Sequence, residues 1–407
     1  MSASAKGVLL GIDIGTTGVR AAVLTEAGAL VADASVSCPH EAPQPGWAEA
    51  DPEAWWRAVV RVLGELALST TLGDVKAIAV AGQAPTVVLI DEAGAVVRPA
   101  ILWLDTRSDA EAKELGTEAY YLGPKLLWLA RHEPEALART KWMLQSHAFL
   151  AQRLTGEVAV DPSTAALALP LFDLGKIAWV QDAFIRVHDA SNGAGLTAAQ
   201  MPPLRRAHEV LGTVTAAAAS ATGLRAGTPV VVGGGDFAAA TLGAGVLAEG
   251  EACLMLGTAG NLLVPRKTPG TDARLINAHH VGTESWLSLG GTLSGGAQEW
   301  LRHAVARGAM VEDTSVRGAL PSFDVLDAEA ARVPVGSDGL LFLPYLQGER
   351  TPIWDVAARG AYVGLGLNHG RGHLWRALLE GIARGIGKHE QVVRVSSRNP
   401  RCAAIVE

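Results

Sequence analysis

Hydrophobic and polar positions set a strand rhythm at the start of the chain. Val8, Leu9 and Leu10 lead into Gly11-Ile12-Asp13-Ile14-Gly15-Thr16-Thr17-Gly18, and Ala21, Ala22, Val23 and Leu24 follow. An apolar run, a tight Gly/Thr turn and a second apolar run predict an antiparallel hairpin. Glu26-Ala27-Gly28 predicts a further turn and Ala29 to Val36 a third strand, so the chain opens as a meander. After a Pro-rich connection from Pro39 to Gly46 the period changes. Asp51-Pro52-Glu53 marks a helix start, with an N-cap carboxylate and Pro at the first helical position. Trp55, Trp56, Val59, Val60, Leu63 and Leu66 give that helix a broad apolar face. Lys76 to Ala81 reads as the next strand, ending at Gly82-Gln83, and Thr86 to Ile90 and Ala95 to Trp103 as two more.

Residues 108 to 150 are helical in character. The run 124–130 is apolar enough for a core or a subunit interface, and Trp142 to Leu154 predicts a helix ending at Thr155-Gly156. Asp161-Pro162-Ser163-Thr164 is a polar loop that either borders a site or caps a helix. Leu204 to Gly227 reads as an Ala-rich connection. Val230-Val231-Val232 then runs into Gly233-Gly234-Gly235-Asp236 and a small-residue helix. Cys253 to Asn261 repeats the opening theme: an apolar strand, Gly257-Thr258, a small residue, a glycine. Gly290 to Ala297 leads into a helix from Gln298 to Val305, and Phe342 to Pro352 reads as a rigid surface loop with a charged pair. Leu374, Leu378, Ile382 and Ile386 recur every fourth position on a last helix, where Gly381 and Gly385 predict close backbone packing. Three antiparallel strands, a helix and more sheet predict an α/β, ribonuclease-H-like layer, not a Rossmann βαβ repeat.

Composition narrows the class. A chain of 407 residues that is 49 % hydrophobic and 18 % charged supports two domains with proper cores. The net charge of −7 offers no basic footprint for nucleic acid. Cys38, Cys253 and Cys402 are widely spaced, fitting neither a disulfide framework nor a zinc site. His279-His280 lack the spacing of a metal pair. Met1 to Lys6 is too short for a signal peptide and no apolar span reaches membrane length, so a cytoplasmic location with no membrane partner is expected.

Two carboxylates stand out against this background. Asp13 lies in an apolar strand, where an unpaired carboxylate is costly unless it meets a cation, a base or a wet site. The small residues of the neighbouring turn are expected to leave its N–H groups open to an anion, and Thr16 and Thr17 add hydroxyls, a combination suited to a phosphate and its divalent metal; an ordinary hairpin with an acid at its rim is the alternative. Asp236 follows three glycines at a strand's carboxyl end, where ligands collect in α/β sheets. An N-cap aspartate is the alternative, but three consecutive glycines let the backbone approach a ligand closely and favour a functional role.

Taken together, GIDIGTTGVRAAV, RPAILWLDTR, PKLLWL, RLTGE, the DPSTA loop, GGGDFAAA, LGTAGN, LPYLQGERTP and RALLEGIA resemble the FGGY carbohydrate kinases, in family order from Gly7 to about Gly387, with xylulose-kinase-like members nearest. The resemblance implies two actin/sugar-kinase-type domains, residues 1–241 for sugar and phosphate and 242–407 for the nucleotide side, with a cleft between them. It implies that a sugar hydroxyl attacks the γ-phosphate of ATP with Mg2+. Asp236 matches the catalytic base, and Asp13 the metal-linked carboxylate. Gly15, Thr16 and Thr17 lie beside the phosphates, with Arg20 supporting the turn. Gly257 and Thr258 match the second phosphate motif, where Ala259 replaces the usual serine, and Gly295 matches a nucleotide-side glycine. Trp103, Asp105 and Arg107 match the segment lining the sugar pocket.

Two departures modify this expectation. The Met-His pair that follows the family's Gly-Gln is replaced by Ala84-Pro85 after Gln83, which opens the acceptor to another pentulose, a tetrulose or a polyol. Beyond the helix from Arg376 to Gly387, the Gly-rich adenosine motif is missing and an Arg/Ser-rich segment runs to Glu407, as a frameshift or premature stop would produce. The second domain is then expected to be incomplete, with uncovered apolar faces. The alternative function is an impaired member acting at most as a sugar-binding pseudokinase. A transcriptional regulator lacks its helix-turn-helix. The expected partners are therefore a sugar or polyol and ATP, with a homodimer as an option.

Overall fold

The computed structural model describes residues 7–257, 259–307 and 320–396. Its residues group into two compact units, one of residues up to 247 with 278–286, the other of 248–277 with the residues from 287 on.

In the first unit β1 (Val8–Ile14) and β2 (Gly18–Thr25) form the expected hairpin, with Asp13 opposite Arg20, and β3 (Leu30–Ser37) extends it. The helix α1 (Pro52–Leu66) begins where the Asp51 carboxylate accepts the Glu53 N–H at 2.9 Å. It lies on β2 and β3. Its buried stripe is Trp55, Ala58, Val59, Val62, Leu63 and Leu66; Trp56 and Val60, expected there, sit off the stripe and are half-buried. Strand β4 (Val75–Gly82) runs parallel beside β1, Asp13 level with Ala81 and Ile14 with Gly82.

Helix α2 (Leu122–His132) is buried on every side from Leu122 to Ala130, so this run belongs to the chain's own core. Trp142–Leu144 is not helical: it pairs antiparallel with Val88–Ile90, and α3 (Ser146–Thr155) starts only afterwards, closing on a left-handed Gly156. A short apolar run fits either period until a partner strand decides. Likewise Ala95 to Trp103 is not one strand. Ala100–Ile101 pairs with Glu49–Ala50, and Pro99 has no N–H to give a ladder. The Asp161 loop becomes the one-turn α4 (Pro162–Ala165), and the supposed connection after Leu204 holds strand β5 (Val210–Thr213) and a helix, Ala216–Thr222.

Then come β6 (Pro229–Val231), the two-residue β7 (Gly234–Gly235) and α5 (Asp236–Gly243). The sheet order is β5-β6-β4-β1-β2-β3, with β7 paired to β4. Between β6 and β7, Gly233 takes φ +79°, and a Cβ there would stand 2.1 Å from the Val80 carbonyl oxygen. No other residue can make that bend.

Strands β8 (Cys253–Leu256), β9 (Ala259–Arg266), β10 (Ile276–His279) and β11 (Trp286–Leu293) make a sheet of order β8-β9-β11-β10, whose residues 278, 279 and 286 group with the first unit and the rest with the second. Helices α6 (Gly295–Arg307), α7 (Phe323–Ala330) and α8 (Arg371–Ser396) and strand β12 (Leu341–Leu343) complete it. Leu301, Leu326, Phe342, Trp375, Leu378 and Ile382 form its core. The segment from Phe342 to Pro352 is not simply a surface loop: it begins in β12, and Glu349 and Thr351 are buried. Glu349 accepts the Thr292 hydroxyl (2.7 Å), and the Thr351 hydroxyl accepts the Gly291 N–H (2.8 Å), which turns both inward. The tail expectation lies largely outside the described residues, although the backbone of α8 continues helical to Ser396.

The glycines of α8 are close-packing positions, as expected. A Cβ on Gly381 would lie 2.3 Å from the Phe342 carbonyl oxygen, and one on Gly385 2.9 Å from Thr292 Cγ2. In an open helix Gly→Ala stabilises by about 1 kcal/mol. Here Gly381→Ala is expected to destabilise by about 1–3 kcal/mol through overpacking, measured as a lower midpoint in chemical denaturation.

Candidate active site

Three parallel strands of the first unit end at one level. Asp13 is in register with Ala81, and Ala81 with Gly234; one residue on, Ile14 is in register with Gly82, and Gly82 with Gly235. The carboxyl ends of β1, β4 and β7 therefore carry Gly15, Gln83 and Asp236 side by side. Sheet register alone brings Asp13 and Asp236, distant in sequence, into one electrostatic neighbourhood. Burial, and after it the Asp13 charge, pushes the Asp236 carboxyl up to about 7. Burial raises the Asp13 carboxyl as well, against the opposing pull of Arg20 across the hairpin. Asp13 Oδ1 is buried and makes no hydrogen bond, while Asp236 Oδ1 accepts the Phe237 N–H at 2.7 Å. Asp236 is not the N-cap of α5; Gly235 holds that place.

The hairpin tip is tighter than the sequence suggests. Gly15 donates its N–H to the Gly18 carbonyl at 2.9 Å, so that group closes the turn and is not open to an anion. Thr16 Oγ1 accepts the indole N–H of Trp103 at 3.1 Å, and Thr17 and Arg20 are exposed. Gln83 is locked beside the turn: its N–H donates to the Ile14 carbonyl at 2.8 Å and its Nε2 to the Gly15 carbonyl at 3.3 Å. Its Oε1 is buried and makes no hydrogen bond. Ala84 and Pro85 follow, both buried, across a cis peptide bond.

Asp105 and Arg107 are placed differently from Trp103. Asp105 is 1 % exposed, and its oxygens accept the Ala48 N–H (2.6 Å), the Arg107 N–H (3.0 Å) and the Arg107 guanidinium (2.8–3.0 Å). The Arg107 side chain also meets Glu49 at 2.7 Å and lies 3.6 Å over the Trp47 ring. Both side chains are thus hydrogen-bonded within the first unit.

The Asp161 segment packs beside β7 as a helix cap, one of the two roles its sequence offered. The Asp161 carboxylate accepts the Ser163 N–H (2.7 Å) and the Thr164 hydroxyl (2.6 Å), and His147 Nε2 lies 3.2 Å from it, both side chains fully buried. Burial raises the Asp161 carboxyl, but the bonds from His147, Ser163 and Thr164 more than reverse this and hold it below the usual range. Ser163 Oγ in turn accepts the Gly235 N–H at 3.3 Å, one residue before Asp236. The cap residue was legible in Asp161-Pro162; no sequence period points to His147.

In the second unit Gly257 and Gly295 are brought together: the Gly295 N–H donates to the Gly257 carbonyl at 2.9 Å, at the start of α6. Thr258 lies outside the described residues. Among the described residues no cluster of three or more His, Cys, Asp or Glu could hold a metal ion.

Residues 8–243 match the N-terminal domain, and residues 252–391 the C-terminal domain, of the FGGY family of carbohydrate kinases. The xylulose kinase of Escherichia coli (strain K12) is 32 % identical over 98 % of this chain and 81 % of its own length. The gluconokinase of Bacillus subtilis (strain 168) is 29 % identical over 92 % of this chain and 74 % of its own. The crystal structure of xylulose kinase from Rhodospirillum rubrum aligns with a TM-score of 0.81 at 35 % identity, covering 96 % of this chain and 79 % of that one. With both domain models matched in order over most of its length, the chain belongs to the FGGY family of carbohydrate kinases.

Proposed function

We propose that this carbohydrate kinase phosphorylates a pentulose of the xylulose type, with Asp236 as the base that accepts the proton of the attacking hydroxyl. The observation that carries the reading is the carboxylate pair at the matched strand ends. A carboxyl pushed to about 7 is suited to take a proton near neutral pH, and Asp13 beside it keeps an unsatisfied buried oxygen. The xylulose kinases among its relatives support the pentulose.

A hard divalent cation takes oxygen ligands and keeps several waters when phosphates share it. Asp13 Oδ1 fits Mg2+ on that basis, as a single carboxylate ligand. Bound there, the ion neutralises phosphate charge, which phosphoryl transfer needs more than covalent help. The chain's own residues do the positioning. The Thr16 and Thr17 hydroxyls are assigned to the ATP phosphates, and Gly15 shapes their turn. Arg20, across from Asp13, restrains its carboxyl from protonation. Gly257, Thr258 and Gly295 are assigned to the nucleotide, so that residues 1–241 carry sugar and phosphates and 242–407 the nucleotide side. Gln83 Oε1 offers a buried acceptor to a sugar hydroxyl, Trp103 a flat wall, and Ala84-Pro85 an apolar one. A cytoplasmic location belongs to the same reading; among the described residues no helix is long and apolar enough to cross a membrane.

The test is coupled ADP release with Mg-ATP over D-xylulose, D-ribulose, erythrulose, gluconate and glycerol. D-Xylulose or another pentulose is expected to give the highest kcat/KM, and a clear preference for gluconate or glycerol overturns the substrate class. Asp236→Asn is expected to lower kcat about a thousandfold; near-native kcat in that variant overturns the base assignment.

The raised Asp236 pKa also has a stability consequence. Its carboxyl titrates at about 7 when folded, against about 3.9 in the unfolded chain. The folded state therefore binds the proton more tightly between these values, and this group's contribution falls as pH rises through that window. Asp236→Asn is expected to stabilise the protein by about 2 kcal/mol at pH 8 and by far less at pH 4. Thermal melts of both proteins at the two pH values measure the difference.

A further inference from the structure

Near the start of α2 stands Lys125, whose side chain is fully buried. An amine taken out of water is costly unless its donors are satisfied. Nζ donates to the Asp105 carbonyl (3.0 Å), to the Tyr120 carbonyl (3.4 Å) and closely to the Ala119 carbonyl. Three acceptors match the three donors of an ammonium. Burial pushes this amine down to about 7, with the Asp105 carboxylate pulling it back up and Arg107 pushing the same way as burial.

The carbonyls belong to two segments that both lead back to the end of β1. Two residues before Asp105 is Trp103, whose indole N–H donates to Thr16 Oγ1 in the hairpin turn. The Tyr120 hydroxyl donates to the Ala84 carbonyl at 3.3 Å, directly after Gln83, which is bonded to Ile14 and Gly15. One buried amine thus ties together the segments that present Trp103 and Ala84-Pro85.

We propose that Lys125 is a positioning residue for the acceptor sugar, fixing through the Asp105 and Tyr120 carbonyls the spacing of Trp103 from Ala84-Pro85 and so the acceptor that fits. It touches no reacting atom. The inference rests on the reading of Gln83, Ala84, Pro85 and Trp103 as the acceptor wall.

The test is steady-state kinetics with D-xylulose and Mg-ATP. Tyr120→Phe keeps the ring and removes the hydroxyl that reaches Ala84. It is expected to raise KM for D-xylulose about tenfold while KM for ATP stays within about twofold. Lys125→Met is expected to show the same split, and larger. Should it fail to fold, Tyr120→Phe decides alone. A folded Tyr120→Phe enzyme with native KM for D-xylulose, or with both KM values raised in the same proportion, overturns the inference. If Asp236→Asn is inactive while Tyr120→Phe is native in KM, only the role of Lys125 falls; if Asp236→Asn is active, the site reading itself falls.

Discussion

The hydrogen-bonded register of β1, β4 and β7 is the constraint on which the first unit's site depends. It sets Asp13 level with Ala81 and Gly234, and with them Gly15, Gln83 and Asp236 at one edge of the sheet. A slip of one residue in β7 would turn Asp236 away, because side chains alternate between faces. The register is protected by positions that admit no side chain. Gly233 is held against Val80 in a left-handed conformation, Gly82 lies against Ser146, and Gly234 lies against Val281 and Asp161.

Burial raises both carboxyls, and the Asp13 charge raises Asp236 further. Among the described residues no salt bridge to either relieves this. Around them the Gly15 N–H is taken by Gly18, Thr16 Oγ1 by Trp103 and Gln83 Nε2 by the end of β1, while Gln83 Oε1 makes no hydrogen bond. On the proposed reading, a bound ligand offsets the cost of the pair. Behind it the buried Asp161, capping α4 and paired with His147, fixes the backbone just before Asp236 from the opposite side.

The second unit is built on close backbone approach. The glycines of α8 let it settle against β12 and β11, and the buried Glu349 and Thr351 give Thr292 and Gly291 their hydrogen-bond partners. The charged loop seen in the sequence is therefore partly an internal brace of the sheet.

The amino-acid pattern alone determined the opening meander, the Asp51-capped helix, the strand before Gly82, the glycine-lined strand before Asp236 and the close-packing glycines of α8. Each is written in local period, turn and cap chemistry, which short-range sterics fix. It also singled out Asp13, an acid in an apolar strand, and Asp236, which follows three glycines at a strand's carboxyl end. Only the tertiary structure decided the rest. Trp142–Leu144 became a strand because a partner strand was present, and Ala58 and Val62 joined the stripe because the sheet faces them. Asp105 and Arg107 turned inward because Ala48, Glu49 and Trp47, distant in sequence, meet their polar groups. Lys125 and His147 have no periodic signature, and the burial that makes them consequential exists only once remote segments close around them.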